Sequence, residues 1–333
     1  MLKLFLNNSF FVILFLLVSC SSPQDNLSVD SPEPNSNYQL PLAYQQHRSQ
    51  QQYFQSEDGS IAYTDHGDGD VLVLLHGVPT SSWMYRKIIP DLQQDFRVIS
   101  VDLLGYGSSE KPKDNGTNYL PTSQAANVEG LLSELGINQY SVLMHDMVGL
   151  VAWELLRNRP DTISNLVILN TIVSQNGFDH PDMEPGVMTK LMANADSNNL
   201  TSAAALEMTF NNLGLGGDYK LTEAKCSGYV TPMKEGSDEA LYVFYTGLNN
   251  DLYQRLDSNR AVFQSFQGNA LVLWGAKDKT LTTEQIPFLR EHLRIPENHV
   301  HIYEENNHFL VEEIPVEVVS KITGFLNGTQ KAL

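Results

Sequence analysis

Short apolar runs alternate with helical stretches through most of this chain, and that alternation limits the possible folds more than any other feature. Val71–Leu75, Val98–Val101, Ser141–Met144 and Leu166–Leu169 are four such runs. Their length suits strands buried on both faces rather than helices. Between them, Ala125–Leu135 and Leu150–Leu156 show helical apolar spacing, and Gly136 is placed to end the first. Ala270–Trp274 and Val300–Tyr303 continue the series, while Tyr53–His66 alternates about Asp58-Gly59 and predicts an antiparallel hairpin. The rhythm implies an α/β fold with a mostly parallel, doubly wound sheet. A length of 333 residues allows one large α/β domain and an inserted subdomain.

That rhythm breaks between residues 171 and 267. Helical stretches around Val187–Ala195, Thr201–Phe210 and Ser237–Leu256 are separated by Gly- and Asn-rich loops. A helical cap over 171–267 is expected, with 53–170 and 268–333 forming the core.

The N-terminus follows different rules. Lys3 precedes an apolar run, Phe10–Val18, that is too short to span a bilayer and suits a signal-peptide core. The run ends in Leu17-Val18-Ser19-Cys20, which resembles the processing box of bacterial lipoproteins, where the cysteine becomes the acylated first residue. The expectation is a lipoprotein signal peptide over 1–20, with lipid attachment at Cys20 and membrane contact through that lipid. Ser21, in place of the Asp that retains lipoproteins at the inner membrane, points to the outer membrane of a bacterial cell envelope. With Cys20 acylated, Cys226 has no intrachain disulfide partner and reads as a small buried filler. Residues 21–52 are rich in Ser, Pro, Gln and Asn and are expected to form a flexible tether. A net charge of −18 argues against a nucleic-acid partner, which would need clustered Lys and Arg; the acidity is read as solubility.

Four segments carry chemistry. His76-Gly77-Val78-Pro79 follows the first core strand, and a loop leaving a strand there can aim the Val78 N–H into a site. Asp102-Leu103-Leu104-Gly105-Tyr106-Gly107 follows the next strand and reads as structural. Met144-His145-Asp146-Met147-Val148-Gly149 bridges a strand and a helix; Asp146 is there either a helix N-cap or a nucleophile on a tight turn. Asp278 and His308 each follow a later strand. Nucleophile, acid and base thus occur in the chain order used when three strand ends converge on one site.

These segments resemble the epoxide hydrolase and haloalkane dehalogenase branch of the α/β-hydrolase fold. His76-Gly77-Val78-Pro79, His145-Asp146, Trp274-Gly275-Ala276-Lys277-Asp278 and His308-Phe309 match its patterns, and Val78 through Lys87 is particularly dehalogenase-like. The resemblance covers Val71–Asn170 and Ala270–Phe325. It implies a small apolar electrophile as substrate, Asp146 as nucleophile, His308 and Asp278 as base and acid, and no cofactor or metal.

A carboxylate attacking an acyl carbonyl would give a mixed anhydride, whereas attack on an sp³ carbon gives an ordinary alkyl ester. His308, oriented by Asp278, would activate the water that hydrolyses that ester. The N–H groups of Val78 and Met147 would form the oxyanion hole. Halide departure needs N–H donors, commonly a Trp after the nucleophile, where this chain has Met147. Epoxide opening needs an O–H donor, for which Tyr245 in the cap is the candidate, with Tyr229 and Tyr242 behind it. The leading expectation is an epoxide hydrolase; the alternatives are a haloalkane dehalogenase and a non-catalytic, lipid-anchored binding protein on the same fold. Met144 and Val148 are bulky where the family is small, so a reshaped turn around Asp146 is also expected.

Overall fold

The computed structural model describes residues 40–113, 118–178, 223–248 and 251–330. The signal peptide with Cys20, the tether as far as residue 39, and the cap stretches around Val187–Ala195 and Thr201–Phe210 lie outside the described residues. So do the side chains of Cys226 and Tyr245.

The strands are β1 (Gln52–Gln55), β2 (Ser60–His66), β3 (Val71–Leu75), β4 (Arg97–Val101), β5 (Tyr140–Asp146), β6 (Ile163–Thr171), β7 (Asn269–Gly275) and β8 (Val300–Tyr303). They form one sheet in the order β1-β2-β4-β3-β5-β6-β7-β8. The predicted hairpin is β1–β2, paired antiparallel with Gln55 opposite Ser60. β2 also runs antiparallel to β4, and the remaining pairs are parallel. Every residue of β5 is buried, as the unbroken Tyr140–Asp146 run requires when helices cover both faces.

From β3 the chain steps outward to β4, then crosses back to β5 on the other side of β3. The loops leaving β3 and β5 therefore run to opposite sides of the sheet, the kind of switch point at which doubly wound sheets place their ligands. Helix Pro121–Glu134 supplies the return crossing. Pro121 opens it, and Gly136 ends it at φ +68°, with Ile137 N–H donating to Leu132 O at 2.8 Å in a Schellman closure.

Two boundaries differ from expectation. The predicted tether through residue 52 is too long, because Leu42–Ser49 is a helix with Tyr44 and His47 buried. Tyr44 meets Trp83 edge-on at 5.3 Å, His47 Nε2 lies 3.0 Å from Ser82 Oγ, and Gln51 Nε2 donates to Asp102 Oδ2 at 2.7 Å. So few apolar residues give no readable periodicity, and the helix is held by partners far along the chain.

The cap interval is also overdrawn at its end. Ser237–Leu256, expected as one helical stretch, is divided between helices Asp238–Leu248 and Leu252–Ser265. The second packs on the core, with Phe263 against Trp153 at 4.6 Å and Arg255 paired to Glu154 at 3.1 Å. Helix Glu223–Pro232 precedes both and joins Asp238–Leu248 through a π-helical turn, Met233–Ser237, in which Gly236 takes φ +105°.

Candidate active site

β5 ends on Asp146 at φ +59°, and helix Gly149–Asn158 begins three residues later. A left-handed aspartate costs roughly 1–3 kcal/mol, so its surroundings must enforce it. Thr171 Oγ1 donates to Asp146 O at 2.5 Å, and Ile172 N–H reaches the same oxygen at 3.3 Å. Two glycines leave the necessary room: a Cβ on Gly77 would sit 2.6 Å from Asp146 Cβ, and one on Gly149 would sit 2.1 Å from Thr171 Oγ1. Met144 and Val148, the bulky residues expected to reshape the turn, are accommodated in the core, and the β5–β6 register shifts between His145 and Asp146. Val148 adopts ordinary right-handed helical angles (φ −72°, ψ −9°), and both side chains are fully buried in the core, so the strain stays on Asp146.

The Asp146 carboxylate is 7% exposed and faces three groups. Its Oδ2 accepts from Val78 N–H at 3.0 Å, the Met147 amide lies near enough to favour its negative charge, and its Oδ1 lies 3.4 Å from His308 Nε2. The last contact is longer than a well-formed hydrogen bond and is essentially ionic. Burial pushes the Asp146 carboxyl up, but His308, His145 and the Met147 amide outweigh it and hold the group below the usual carboxylate range.

Asp278 approaches His308 from the other side, its Oδ2 2.7 Å from Nδ1. Its Oδ1 accepts from Thr280 and Leu281 N–H at 2.9 and 3.0 Å, which fixes the carboxylate plane. Burial disfavours a charged His308, yet Asp278 and Asp146 prevail and raise its pKa to about 10. Those two carboxylates favour the charged form of the imidazole between them. The structure brings Val78, Asp146, His308 and Asp278 together, with Met147 next in the chain to Asp146.

The tyrosines do not all follow. Tyr229 donates to Glu312 Oε1 at 2.6 Å and packs on Arg86, so it is engaged in holding helix Glu223–Pro232 to the core. Tyr242 is 42% exposed. Tyr245 lies in helix Asp238–Leu248, its side chain outside the described residues. Among the tryptophans, Trp153 Nε1 donates to Ile172 O and Trp274 Nε1 to Leu281 O, both at 2.9 Å.

One residue at the site, Asn170, was not singled out by sequence reasoning. Asn170 Nδ2 donates to Asp278 Oδ2 at 2.9 Å, while its Oδ1 accepts from Gly275 N–H at 2.8 Å. Its place at the end of β6, one strand over from Asp278, is the signal that could have found it. His76 is wholly buried and serves as a brace between loops. Leu103 N–H donates to its Nε2 at 3.0 Å, so its proton is on Nδ1, 2.8 Å from Gly77 O. Asp102 accepts from Ser82 and Ser108 N–H at 2.7 and 2.8 Å, confirming the structural reading of its loop.

Residues 70–315 match the family model described as alpha/beta hydrolase fold, and the chain belongs to that family. It is 25% identical over 294 residues to the cis-3-alkyl-4-alkyloxetan-2-one decarboxylase of Shewanella oneidensis, covering 84% of this chain and 89% of that protein. It is 40% identical over 110 residues to a soluble epoxide hydrolase of Corynebacterium sp., covering 33% of this chain and 37% of that protein. Haloalkane dehalogenase 2 of Mycobacterium tuberculosis is 34% identical over 119 residues, 36% of this chain and 41% of that protein. The chain thus spans less than half the length of these last two relatives. Among solved structures, the haloalkane dehalogenase DbeA from Bradyrhizobium elkani superposes with a TM-score of 0.71 at 20% identity, covering 85% of this chain and 99% of that one. Epoxide hydrolase CorEH gives 0.68 at 24% identity, covering 84% and 98%. The structural likenesses show the fold, and together with these relatives they make the protein an α/β-hydrolase enzyme.

Proposed function

We propose that the protein is an epoxide hydrolase in which Asp146 forms, and His308 helps to hydrolyse, an alkyl-enzyme ester. The observation that carries this reading is the Asp146 carboxylate itself: it faces His308 at 3.4 Å while accepting from Val78 N–H. An N-cap would turn its carboxylate to its own helix alone.

Asp146 attacks a ring carbon of a small apolar epoxide, the C–O bond breaks, and the alkoxide takes a proton from an O–H donor, for which Tyr245 is the candidate. Alkylation removes one of the two negative charges beside His308. The proton affinity of the imidazole falls, its proton passes through solvent to the oxyanion left by the O–H donor, and His308 becomes the neutral base that the second step needs. His308 then deprotonates a water that attacks the Asp146 carboxyl carbon. Val78 and Met147 N–H stabilise the tetrahedral oxyanion, and collapse releases the diol and restores the carboxylate.

Epoxide is favoured over halide because Met147 offers no side-chain N–H, those of Trp153 and Trp274 are taken up by backbone carbonyls, and the Trp83 ring packs against Tyr44, His47 and Arg86. A second reading rests on the oxetanone decarboxylase relative, whose match runs through 84% of this chain. The same carboxylate opening a four-membered lactone at its sp³ C–O bond would free a carboxylate. Loss of CO₂ with re-expulsion of Asp146 would then give an alkene, with no water consumed.

His308→Gln with styrene oxide should accumulate an adduct of epoxide mass, and Asp146→Asn should not. Finding none across epoxides would sink the hydrolase reading and leave the binding-protein alternative. Alkene and CO₂ from a cis-dialkyl lactone, without diol from epoxides, would establish the second reading. Envelope anchoring through Cys20 remains part of the proposal; palmitate labelling lost in Cys20→Ser is its test.

A further inference from the structure

The residue before Asp146 carries a second imidazole into the site, and the reaction sequence above gives it no role. His145 is buried, and its ring centroid lies 4.3 Å from that of His308 and 5.3 Å from that of Phe309. Its Nε2 is 2.9 Å from the main-chain oxygen of His308. A carbonyl only accepts, so Nε2 carries the proton. The other ring nitrogen, Nδ1, is buried without a hydrogen-bond partner. It lies over the backbone of Gly77, where a Cβ would come within 2.7 Å of it.

We infer that His145 is a positioning residue for the second half of the reaction: as a neutral Nε2–H donor it pins the backbone of His308 and so sets the imidazole over the Asp146 ester. The inference rests on the proposed alkyl-enzyme chemistry. Three features support it. The bond is made to the backbone of His308, so it fixes where the base stands without drawing on either ring nitrogen that faces a carboxylate. The elbow strain at Asp146 and the bond at His145 come from adjacent residues of one strand end, so nucleophile and base share one support. Burial first, and then the neighbouring His308, push the His145 pKa down to about 3, so the neutral donor persists at any working pH. With its only proton committed to a carbonyl and Nδ1 enclosed, His145 relays no protons.

Alkylation needs Asp146, its amides and the O–H donor but not the base, whereas ester hydrolysis needs His308 in register; a displacement of about 1 Å can cost on the order of 100-fold. His145→Phe, which keeps a flat ring but loses the donor, should therefore alkylate within about threefold of the wild-type rate and hydrolyse the ester roughly 10–100-fold more slowly. Alkyl-enzyme should accumulate by intact mass after rapid mixing with styrene oxide. His145→Gln, whose amide reaches about as far as Nε2, should restore most of the hydrolysis rate. Unchanged hydrolysis in His145→Phe, or equal loss of both steps in a folded variant, overturns the inference. Should His145→Phe fail to fold, the wild-type ¹⁵N imidazole spectrum decides: a neutral Nε2–H tautomer from pH 5 to 9 upholds it, and an imidazolium or Nδ1–H tautomer ends it. An absent adduct in the His308→Gln control would instead overturn the proposed function, and the tautomer would still decide the role of His145.

Discussion

Two buried carboxylates in this molecule have similar company and opposite consequences. Glu312 is 1% exposed; its Oε1 accepts from Arg86 Nη1 at 2.5 Å and from the Tyr229 hydroxyl at 2.6 Å, and its Oε2 lies 2.8 Å from Lys87 Nζ. Asp146 is nearly as buried, but one of its oxygens has a 3.4 Å ionic contact in place of a close hydrogen bond. Glu312 is saturated by groups that cannot leave it, and it ties the cap helix Glu223–Pro232 and the loop after β3 to the segment just beyond His308. On the proposed reading, Asp146 is satisfied enough to stay ionised and loose enough to react. Satisfaction of the lone pairs, more than burial or charge, would then separate a structural carboxylate from a reactive one.

The sharpest way to break this contrast is to remove each charge. Asp146→Asn should lower turnover by about 10⁴-fold, as loss of a residue acting in a catalytic unit does, while the protein stays folded. Glu312→Gln leaves Arg86 and Lys87 without their counter-charge. It should lower unfolding free energy by roughly 3–5 kcal/mol, read by denaturant titration. If instead Glu312→Gln abolished turnover at unchanged stability, the two carboxylates would not differ as described.

Acidity separates them next. Because the folded-state pKa of His308 is raised to about 10, its stabilising contribution is complete below 6.5, the value for the unfolded chain, and is lost as pH rises through about 10. Thermal stability of the wild type should therefore fall across that window, and His308→Gln should flatten the fall. Glu312 is held below the usual carboxylate range: burial opposes this, and Arg86, Lys87 and Tyr229 outweigh it. Its contribution is present above the unfolded value and is lost on acidification, so Glu312→Gln should blunt the acid limb only. In the rate domain, ester hydrolysis should accelerate with pH as alkylated enzyme sheds the His308 proton, and alkylation should stay flat from pH 5 to 9. Rapid-quench measurements of the two steps would show it.

Tyr229→Phe sharpens the comparison from the cap side. Losing its bond to a charged acceptor should cost about 1.5–3 kcal/mol and leave turnover within about twofold. A hundredfold loss at constant stability would make Tyr229 the proton donor. The smallest effect is expected at Arg48, which pairs with Glu235 at 2.8 Å on the surface of the cap turn. Arg48→Ala should change stability by less than about 1 kcal/mol.

What the sequence made legible follows from range. Strands buried on both faces announce themselves locally, as Val71–Leu75 does with the bounds expected of it; the edge strand Val300–Tyr303 keeps its expected bounds too, although it is only half-buried. Asp146, Asp278 and His308 drew attention because each stands at or just beyond a strand end, in a fixed order. The roles of Tyr229 and Glu312 were not, because their hydrogen bond joins residues 83 apart and Arg86 comes from 226 residues away. Helix Leu42–Ser49 was missed for the same reason: its two buried side chains, Tyr44 and His47, are matched to Trp83 and Ser82. Asn170 carries no local signature beyond standing at a strand end, and His145, though part of the His145-Asp146 motif, gives no local sign of its bond to the His308 backbone.

The account depends on the Asp146 carboxyl group exchanging an oxygen with water during turnover. A single turnover of styrene oxide in ¹⁸O-water, followed by mass analysis of the peptide containing Asp146, reads this directly. The label should be found in the Asp146 side chain, and the diol from that first turnover should be unlabelled. Labelled diol with an unlabelled Asp146 would mean that water attacks the substrate itself, and the carboxylate would then not be the nucleophile.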